Sequence, residues 1–318
     1  MLRRQLYVLN KNKGFCTRVW SRKQSVLLND TDGVKRPMRY VDVGNRDDPH
    51  PLVFLSGTAQ NIDTFSPHIR ALSKTRRLIV PELRCQGETE LLSSEANIRQ
   101  HVSDFEQFMS IIGVFDPSDP VASKTLDVIG FSFGGRVASA LAAYRPKMIH
   151  RLSVSCIPLH RPALGRTVMT SWLHSLRRGG VVSCYWSFLV NGYSERFLAR
   201  YENKLPDFIT NIEKANPHPS RLIDLIENSL LNSDDEAYHM SHCVKLITCP
   251  VQIISATGDR IAGLESVHDL ARSIDTCASY VELEGGHLVP YELPVLWRKH
   301  VVEFFNRSDD EASQFISM

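Results

Sequence analysis

Six short apolar runs recur along the 318 residues with amphipathic stretches between them, and this alternation restricts the fold more than anything else in the chain. The runs are Leu52–Leu55, Leu78–Val80, Leu126–Ile129, Leu152–Ser155, Val251–Ser255 and Tyr280–Leu283. Stretches of helical period, such as Ile98–Ile112 and Val137–Tyr144, lie between most of them. Near-continuous apolar strands alternating with helices imply a mostly parallel sheet covered on both faces, the α/β class. Two further β-rich runs, Ser25–Leu28 and Arg39–Val43, flank Thr31-Asp32-Gly33, whose Asp-Gly pair signals a hairpin. The count points to a sheet of eight strands.

The alternation is interrupted once. From about 160 to 243 the chain carries helical stretches instead (Thr167–Leu176, Glu195–Tyr201, Arg221–Leu231), punctuated by Pro, Asn and Gly. The simplest organisation is a core built from 25–159 and 244–306, with 160–243 inserted as a helical cap. The polar, acidic tail, 307–318, is expected to fray.

Charge separates the ends. Lys plus Arg number 37 against 35 Asp plus Glu, a net charge of +2. Seven basic residues and no acid fall within residues 1–29, which leaves 30 basic against 35 acidic residues in the rest. The body therefore gives no nucleic-acid footprint. The leader, 1–24, has the acid-free, Arg-rich composition of a mitochondrial transit peptide, and Arg18-Val19-Trp20-Ser21 resembles a matrix-protease site. The alternatives are a basic tail or a solvated first strand, with a cytoplasmic protein. No apolar run is long enough to cross a bilayer. Seven scattered cysteines without a Cys-x-x-Cys fit buried free thiols better than disulfides or zinc; Cys85 and Cys156 read as small buried residues.

Gly130-Phe131-Ser132-Phe133-Gly134-Gly135 is the sharpest chemical signal. It follows an apolar strand and precedes a small-residue helix, the context a G-x-S-x-G turn needs before it means a nucleophile. A serine hydroxyl is a poor nucleophile at neutral pH and needs a base, which needs an orienting acid. Asp259 lies in the loop leaving the Val251–Ser255 strand, and His287 follows Glu284-Gly285-Gly286 after the last strand. Both are delivered to the sheet edge that carries Ser132, with His287 as base and Asp259 as its orienter. The two glycines give the histidine a mobile-looking loop. The alternative for Asp259 is a cap on the helix beginning near Leu264.

On these residues the chain resembles α/β-hydrolase-fold serine hydrolases with a helical cap, over about residues 36–305. The resemblance implies a nucleophile at Ser132, an acid at Asp259 and a base at His287. It further implies an oxyanion hole from the backbone N–H groups of Thr58, in Ser56-Gly57-Thr58, and of Phe133. Pro81-Glu82-Leu83-Arg84-Cys85-Gln86-Gly87 is similar to the family's fourth-strand turn and reads as structural. Serine at the elbow resembles aspartate-nucleophile dehalogenases and epoxide hydrolases less. The expected reaction is hydrolysis of a small-molecule carboxylic ester or thioester, with no cofactor or metal implied. Carbon–carbon bond hydrolysis, elimination, or a catalytically silent binding protein are the alternatives.

Weaker signals remain. His239-Met240-Ser241-His242-Cys243 offers soft ligands without a visible fourth partner, and reads as the solvated end of a cap helix. Trp172, Tyr185, Trp186 and Phe188 suit cap packing or a pocket wall. Arg161 and Arg166, where the insertion begins, read as solvated helix charges or as a carboxylate clamp.

Overall fold

The computed structural model describes residues 23–316 except 93, 95, 117, 120–122 and 232–234. The basic leader therefore lies almost wholly outside the described residues.

Eight strands form one sheet: β1 (Gln24–Asn29), β2 (Lys35–Val43), β3 (Leu52–Leu55), β4 (Leu78–Pro81), β5 (Leu126–Phe131), β6 (Ile149–Ser155), β7 (Val251–Ala256) and β8 (Cys277–Leu283). Their spatial order is β1-β2-β4-β3-β5-β6-β7-β8. The two pairings of β2 are antiparallel, and every pairing from β4 through β8 is parallel. Successive side chains of a strand point to opposite faces. Since every residue of β3, β4, β5 and β7 is buried, both faces of the central sheet are covered. Edge strand β1 alternates buried with exposed residues at its end, as a half-solvated strand does. Its hairpin closes through Asp30–Val34, with Gly33 at φ 79° in the left-handed region that glycine enters without strain.

The helices are α1 (Ser66–Leu72), α2 (Ile98–Ile111), α3 (Phe133–Tyr144), α4 (Ala163–Gly192), α5 (Glu195–Tyr201), α6 (Leu205–Ala215), α7 (Pro219–Leu225), α8 (Met240–Cys243), α9 (Leu264–Arg272), α10 (Val289–Glu292), α11 (Pro294–Phe305) and α12 (Asp309–Ala312). Helix α3 crosses the centre of the sheet, and its run of Gly and Ala lets the helix backbone approach β5 closely. No helix among the described residues is long and apolar enough to cross a membrane.

The stretch between β6 and β7 is helical, and more continuously so than the sequence suggests. Helix α4 runs on past Leu176 and breaks at Gly180 (φ 66°, ψ −163°). The Ser171 and Ser187 hydroxyls are 3.2 Å apart and the Trp172 and Phe188 rings 4.7 Å apart, so the two halves lie side by side. Beyond α7 the helix widens into a π turn over Ile226–Leu231.

Three expectations need correction. The described part of the tail, 307–316, is folded onto the core: Ser308 and Glu311 form a capping box, Ala312 is buried, and the Ile316 N–H donates to Cys277 O at 2.8 Å. His239–Cys243 is not a solvated helix end, because Met240 and Cys243 are buried and α8 packs on α3. Only Arg166 of the arginine pair is solvated; Arg161 is half-buried.

A buried ionic cluster ties the hairpin to the β4 turn. Arg84 bonds Asp104 and Asp30, each at 2.8 Å, with all three side chains essentially inaccessible to solvent.

Candidate active site

In this topology the chain turns one way after β3 and the other way before β5, so the crevice beyond their C-terminal ends is a switch point where ligands bind. Residues 56–60 leave β3 and Ser132 leaves β5 into that crevice.

Ser132 occupies the single position between β5 and α3, at φ 51° and ψ −118°. A non-glycine residue there stores on the order of 1–3 kcal/mol of strain and persists only where its surroundings enforce it. Its N–H donates to Ser155 O of β6 at 2.9 Å, and its carbonyl accepts the N–H groups of Gly135 (2.9 Å) and Arg136 (3.2 Å). The glycines around it are there for proximity. A Cβ on Gly130 would lie 2.5 Å from the Gly135 Cα, and one on Gly134 within 2.5 Å of the Leu55 and Ser56 carbonyl oxygens.

The loop after β7 presents Asp259. One carboxylate oxygen accepts the N–H groups of Ile261 and Ala262, both at 2.8 Å. The other lies 2.8 Å from Nδ1 of His287, whose Nε2 lies 2.8 Å from Oγ of Ser132. Asp259 does not cap α9, where Gly263 takes that position without a side-chain bond. The His287 loop is braced rather than mobile. The Glu292 carboxylate accepts the Gly286 N–H at 2.9 Å, Leu288 N–H donates to Gly192 O at 2.9 Å, and Gly258 N–H donates to Gly285 O at 2.8 Å. The imidazole and the carboxylate are almost fully shielded, at 4% and 1% exposure. Chemically, this arrangement suits proton transfer from a hydroxyl to an imidazole whose cation a buried carboxylate stabilises.

Thr58 and Phe133 line the same cavity as Ser132. Phe133 is the first residue of α3, where amide hydrogens have no intrahelical acceptor. The β3 loop is held by partners that no local sequence pattern announces. Gly57 N–H donates to the Gln60 side chain (2.9 Å), and Gln60 N–H to that of Gln86 (3.1 Å). Ala59, at φ 62°, has its carbonyl bonded by the Tyr185 hydroxyl (3.0 Å) and the Asn216 amide (3.3 Å), both from the helical insertion. Glu82 is buried and accepts the N–H groups of Ile62 (3.1 Å) and Glu88 (2.7 Å); burial pushes its carboxyl above the usual range. These carboxylate bonds tie the chain around Ile62 to the turn at Glu88, the work of a structural residue.

Among the described residues, one group of three side chains could gather around a metal ion: Cys156, Asp259 and His287, with ligand atoms within 4.8 Å of one another. The chemistry opposes it. Burial, with the Asp259 carboxylate beside it, raises the Cys156 thiol well above its ordinary value, whereas a ligand must be thiolate. His287 Nδ1 is already committed to Asp259. Cys156 is, as expected, small and buried, but at φ 56° it ends β6 directly against the acid, a placement that sequence spacing does not reveal.

The cavity is tight, with about 30 Å³ open to the centre of a water-sized sphere. Met169, Trp172 and Phe188 of the insertion form its apolar wall, while Arg136 and Arg161 also reach it. Of the other aromatics, Tyr185 is buried beside Phe188 and Trp186 is 45% exposed.

Comparison with known proteins agrees with this architecture. The structure is similar to the hydrolase MGS-M2 from a Medee basin deep-sea metagenome library, at 17% identity and a TM-score of 0.74, covering 89% of this chain and 98% of that one. It is similar to the enol-lactonase of Burkholderia xenovorans LB400, at 20% identity and a TM-score of 0.72, over 89% and 100% of the two chains. A thermophilic esterase from Thermogutta terrifontis matches at 18% identity and a TM-score of 0.72, over 89% and 98%. At such identities these likenesses establish the fold alone. A comparison with curated proteins finds no match. The model of the alpha/beta hydrolase family matches residues 52–297, most of the chain and all of the sheet from β3 to β8, and the protein belongs to that family.

Proposed function

We propose that the protein is a serine hydrolase that cleaves a carboxylic ester or thioester through an acyl-enzyme. The observation that carries the reading is the unbroken chain of two 2.8 Å contacts from Asp259 through His287 to Ser132, with Ser132 and His287 lining one cavity. In this mechanism His287 Nε2 takes the proton from Ser132 Oγ as the oxygen attacks the carbonyl carbon. Asp259 fixes the tautomer with Nδ1 protonated and stabilises the imidazolium. The backbone N–H groups of Thr58 and Phe133 receive the oxyanion, each such donor being worth about 10²- to 10³-fold in rate. His287 then returns the proton to the leaving alcohol or thiol, and deprotonates the water that frees the acid.

The 160–243 insertion acts as a cap. Its aromatic wall supplies the apolar surface, and its bonds to Ala59 brace the loop that carries Thr58. For the basic leader, mitochondrial import is the reading its composition supports; an intact Met1 on the protein isolated from mitochondria-bearing cells would refute cleavage on import.

A panel of p-nitrophenyl esters of rising acyl length tests the reaction. Turnover that falls at least 10³-fold in both Ser132→Ala and His287→Ala supports it. Turnover retained by Ser132→Ala would overturn it.

A further inference from the structure

The space beside Ser132 is small, and the parts that bound it are fastened together. With about 30 Å³ open to the centre of a water-sized sphere, it has room for about two water-sized groups, each of which needs roughly 10–15 Å³ by that measure. Met169, Trp172 and Phe188 of α4, with Ile157 and Ile261 of the core, supply much of its apolar lining. Helix α4 meets the core at three places. Near its start, Gly165 packs so closely that a Cβ there would lie 2.1 Å from the Ile261 carbonyl oxygen, in the loop that carries Asp259. In its second half the Tyr185 hydroxyl donates to Ala59 O at 3.0 Å. At its end the Gly192 carbonyl accepts the N–H of Leu288, the residue after His287, at 2.9 Å. The Trp172 and Phe188 rings are 4.7 Å apart and those of Tyr185 and Phe188 5.3 Å, so the aromatic wall shares these restraints. Enlarging the space means breaking contacts with the loops of the acid, the base and Thr58.

Asp259 and His287 are buried, whereas Ser132 is half-buried, so the way to solvent opens at the nucleophile. Acylation divides an ester at that point. The bond from Ser132 Oγ to the acyl carbon forms as the bond to the leaving oxygen or sulfur breaks, and the leaving atom departs with the proton held by His287. The leaving half must reach solvent before water enters. The acyl half stays on the serine, inside the walls.

We infer that the site is limited to short acyl groups, of acetyl or propionyl size, that Met169 and Phe188 set this limit, and that the alcohol or thiol half extends outward. The inference rests on the serine-hydrolase reading and names the class of its substrate. Each methylene beyond the limit must displace packed side chains, and one misfitting methylene in an apolar pocket changes kcat/KM by about 10- to 200-fold.

Hydrolysis of p-nitrophenyl acetate, propionate, butyrate and hexanoate by the intact protein tests this, each kcat/KM being divided by that ester's spontaneous rate. The corrected value is expected to fall at least tenfold from propionate to hexanoate. In Phe188→Ala and in Met169→Ala the ratio of hexanoate to propionate should rise at least tenfold. Because the ratio is taken on one sample, an unfolded fraction does not alter it, and the smaller change at Met169 serves if Phe188→Ala does not fold. Phenyl and 2-naphthyl acetates, whose leaving groups differ in size but little in acidity, should be hydrolysed at similar rates. If no ester of any length is hydrolysed, the serine-hydrolase reading fails and this inference with it. If hexanoate matches propionate in the wild-type protein, if a folded variant keeps the wild-type ratio, or if 2-naphthyl acetate is refused, the short-acyl limit alone is refuted.

Discussion

Two adjacent glycines at the elbow make different predictions, because a methyl group added at each would meet different atoms. At Gly134 it would come within 2.5 Å of the Leu55 and Ser56 carbonyl oxygens, which are backbone of β3 and its loop. At Gly135 it would lie 2.6 Å from Cγ2 of Ile157, a side-chain methyl, with the Gly130 carbonyl oxygen at 3.2 Å. Ordinary contact begins at 3.4 Å, so Gly134→Ala must drive α3 and β3 apart by roughly 1 Å. Such overpacking costs about 1–3 kcal/mol, against a helix-propensity gain of at most about 1 kcal/mol. The larger effect is on rate. A displacement of ~1 Å would stretch the 2.8 Å Ser132–His287 contact beyond hydrogen-bonding range and shift Thr58 relative to Phe133. Misplacement of that size costs about 10²-fold. For Gly135→Ala the obstruction is removable, so Gly135→Ala and Ile157→Ala together should cost less stability than the sum of the two single changes, whereas Ile157→Ala should add its full cost to Gly134→Ala. Thermal melts and kcat/KM on one p-nitrophenyl ester read both effects. A folded Gly134→Ala protein with kcat/KM within threefold of wild type would refute the packing argument, as would rescue of Gly134→Ala by Ile157→Ala.

Other consequences are as direct. His68 and His101 are buried, and desolvation lowers both to about 3 from 6.5. Below pH 6.5 the unfolded chain binds protons at these sites that the folded chain refuses, so stability falls as pH drops from 6.5 towards 3, by about 1.4 kcal/mol per pH unit for each. Urea melts of His101→Leu should show a slope shallower by one histidine's share; an unchanged slope contradicts the assignment. Arg84→Leu leaves the Asp30 and Asp104 carboxylates buried without their cation and should cost about 3–5 kcal/mol by urea denaturation. A loss under 1 kcal/mol would mean that the cluster relaxes into water. Tyr185→Phe removes the donor to Ala59 O and should cost about 0.5–1.5 kcal/mol in stability. It should also lower kcat more than it raises KM, and a change in KM alone would detach Tyr185 from the proposed oxyanion role of the β3 loop.

What the sequence discloses here is what depends on neighbours along the chain. The central strands are legible because a sheet covered on both faces demands unbroken apolar runs such as Leu52–Leu55. The elbow is legible because close approach of α3 to β3 and β5 admits only glycine at 130 and 134. Asp259 and His287 are legible because each follows a strand that must end at the same edge as β5. What stays hidden is held by bonds between distant segments. Gln60 and Gln86 support the β3 loop from 26 residues apart, and Tyr185 reaches Ala59 across 126. The brace of Glu292 on Gly286 turns a loop that reads as mobile into a fixed one. Arg161 reads as a solvated helix charge or a carboxylate clamp, and its bond to the Leu230 carbonyl, 69 residues further along the chain, is a contact that spacing does not announce.

The proposed acyl-enzyme would leave a covalent record that rapid acid quench can read. The protein is mixed with an ester, stopped within its first turnovers, digested, and analysed by tandem mass spectrometry. The account predicts the acyl mass on the peptide containing Ser132 and on that side chain, with one leaving-group alcohol released per acyl group bound before steady state. Product release with an unmodified Ser132 at every quench time, or the acyl group on another residue, would contradict it.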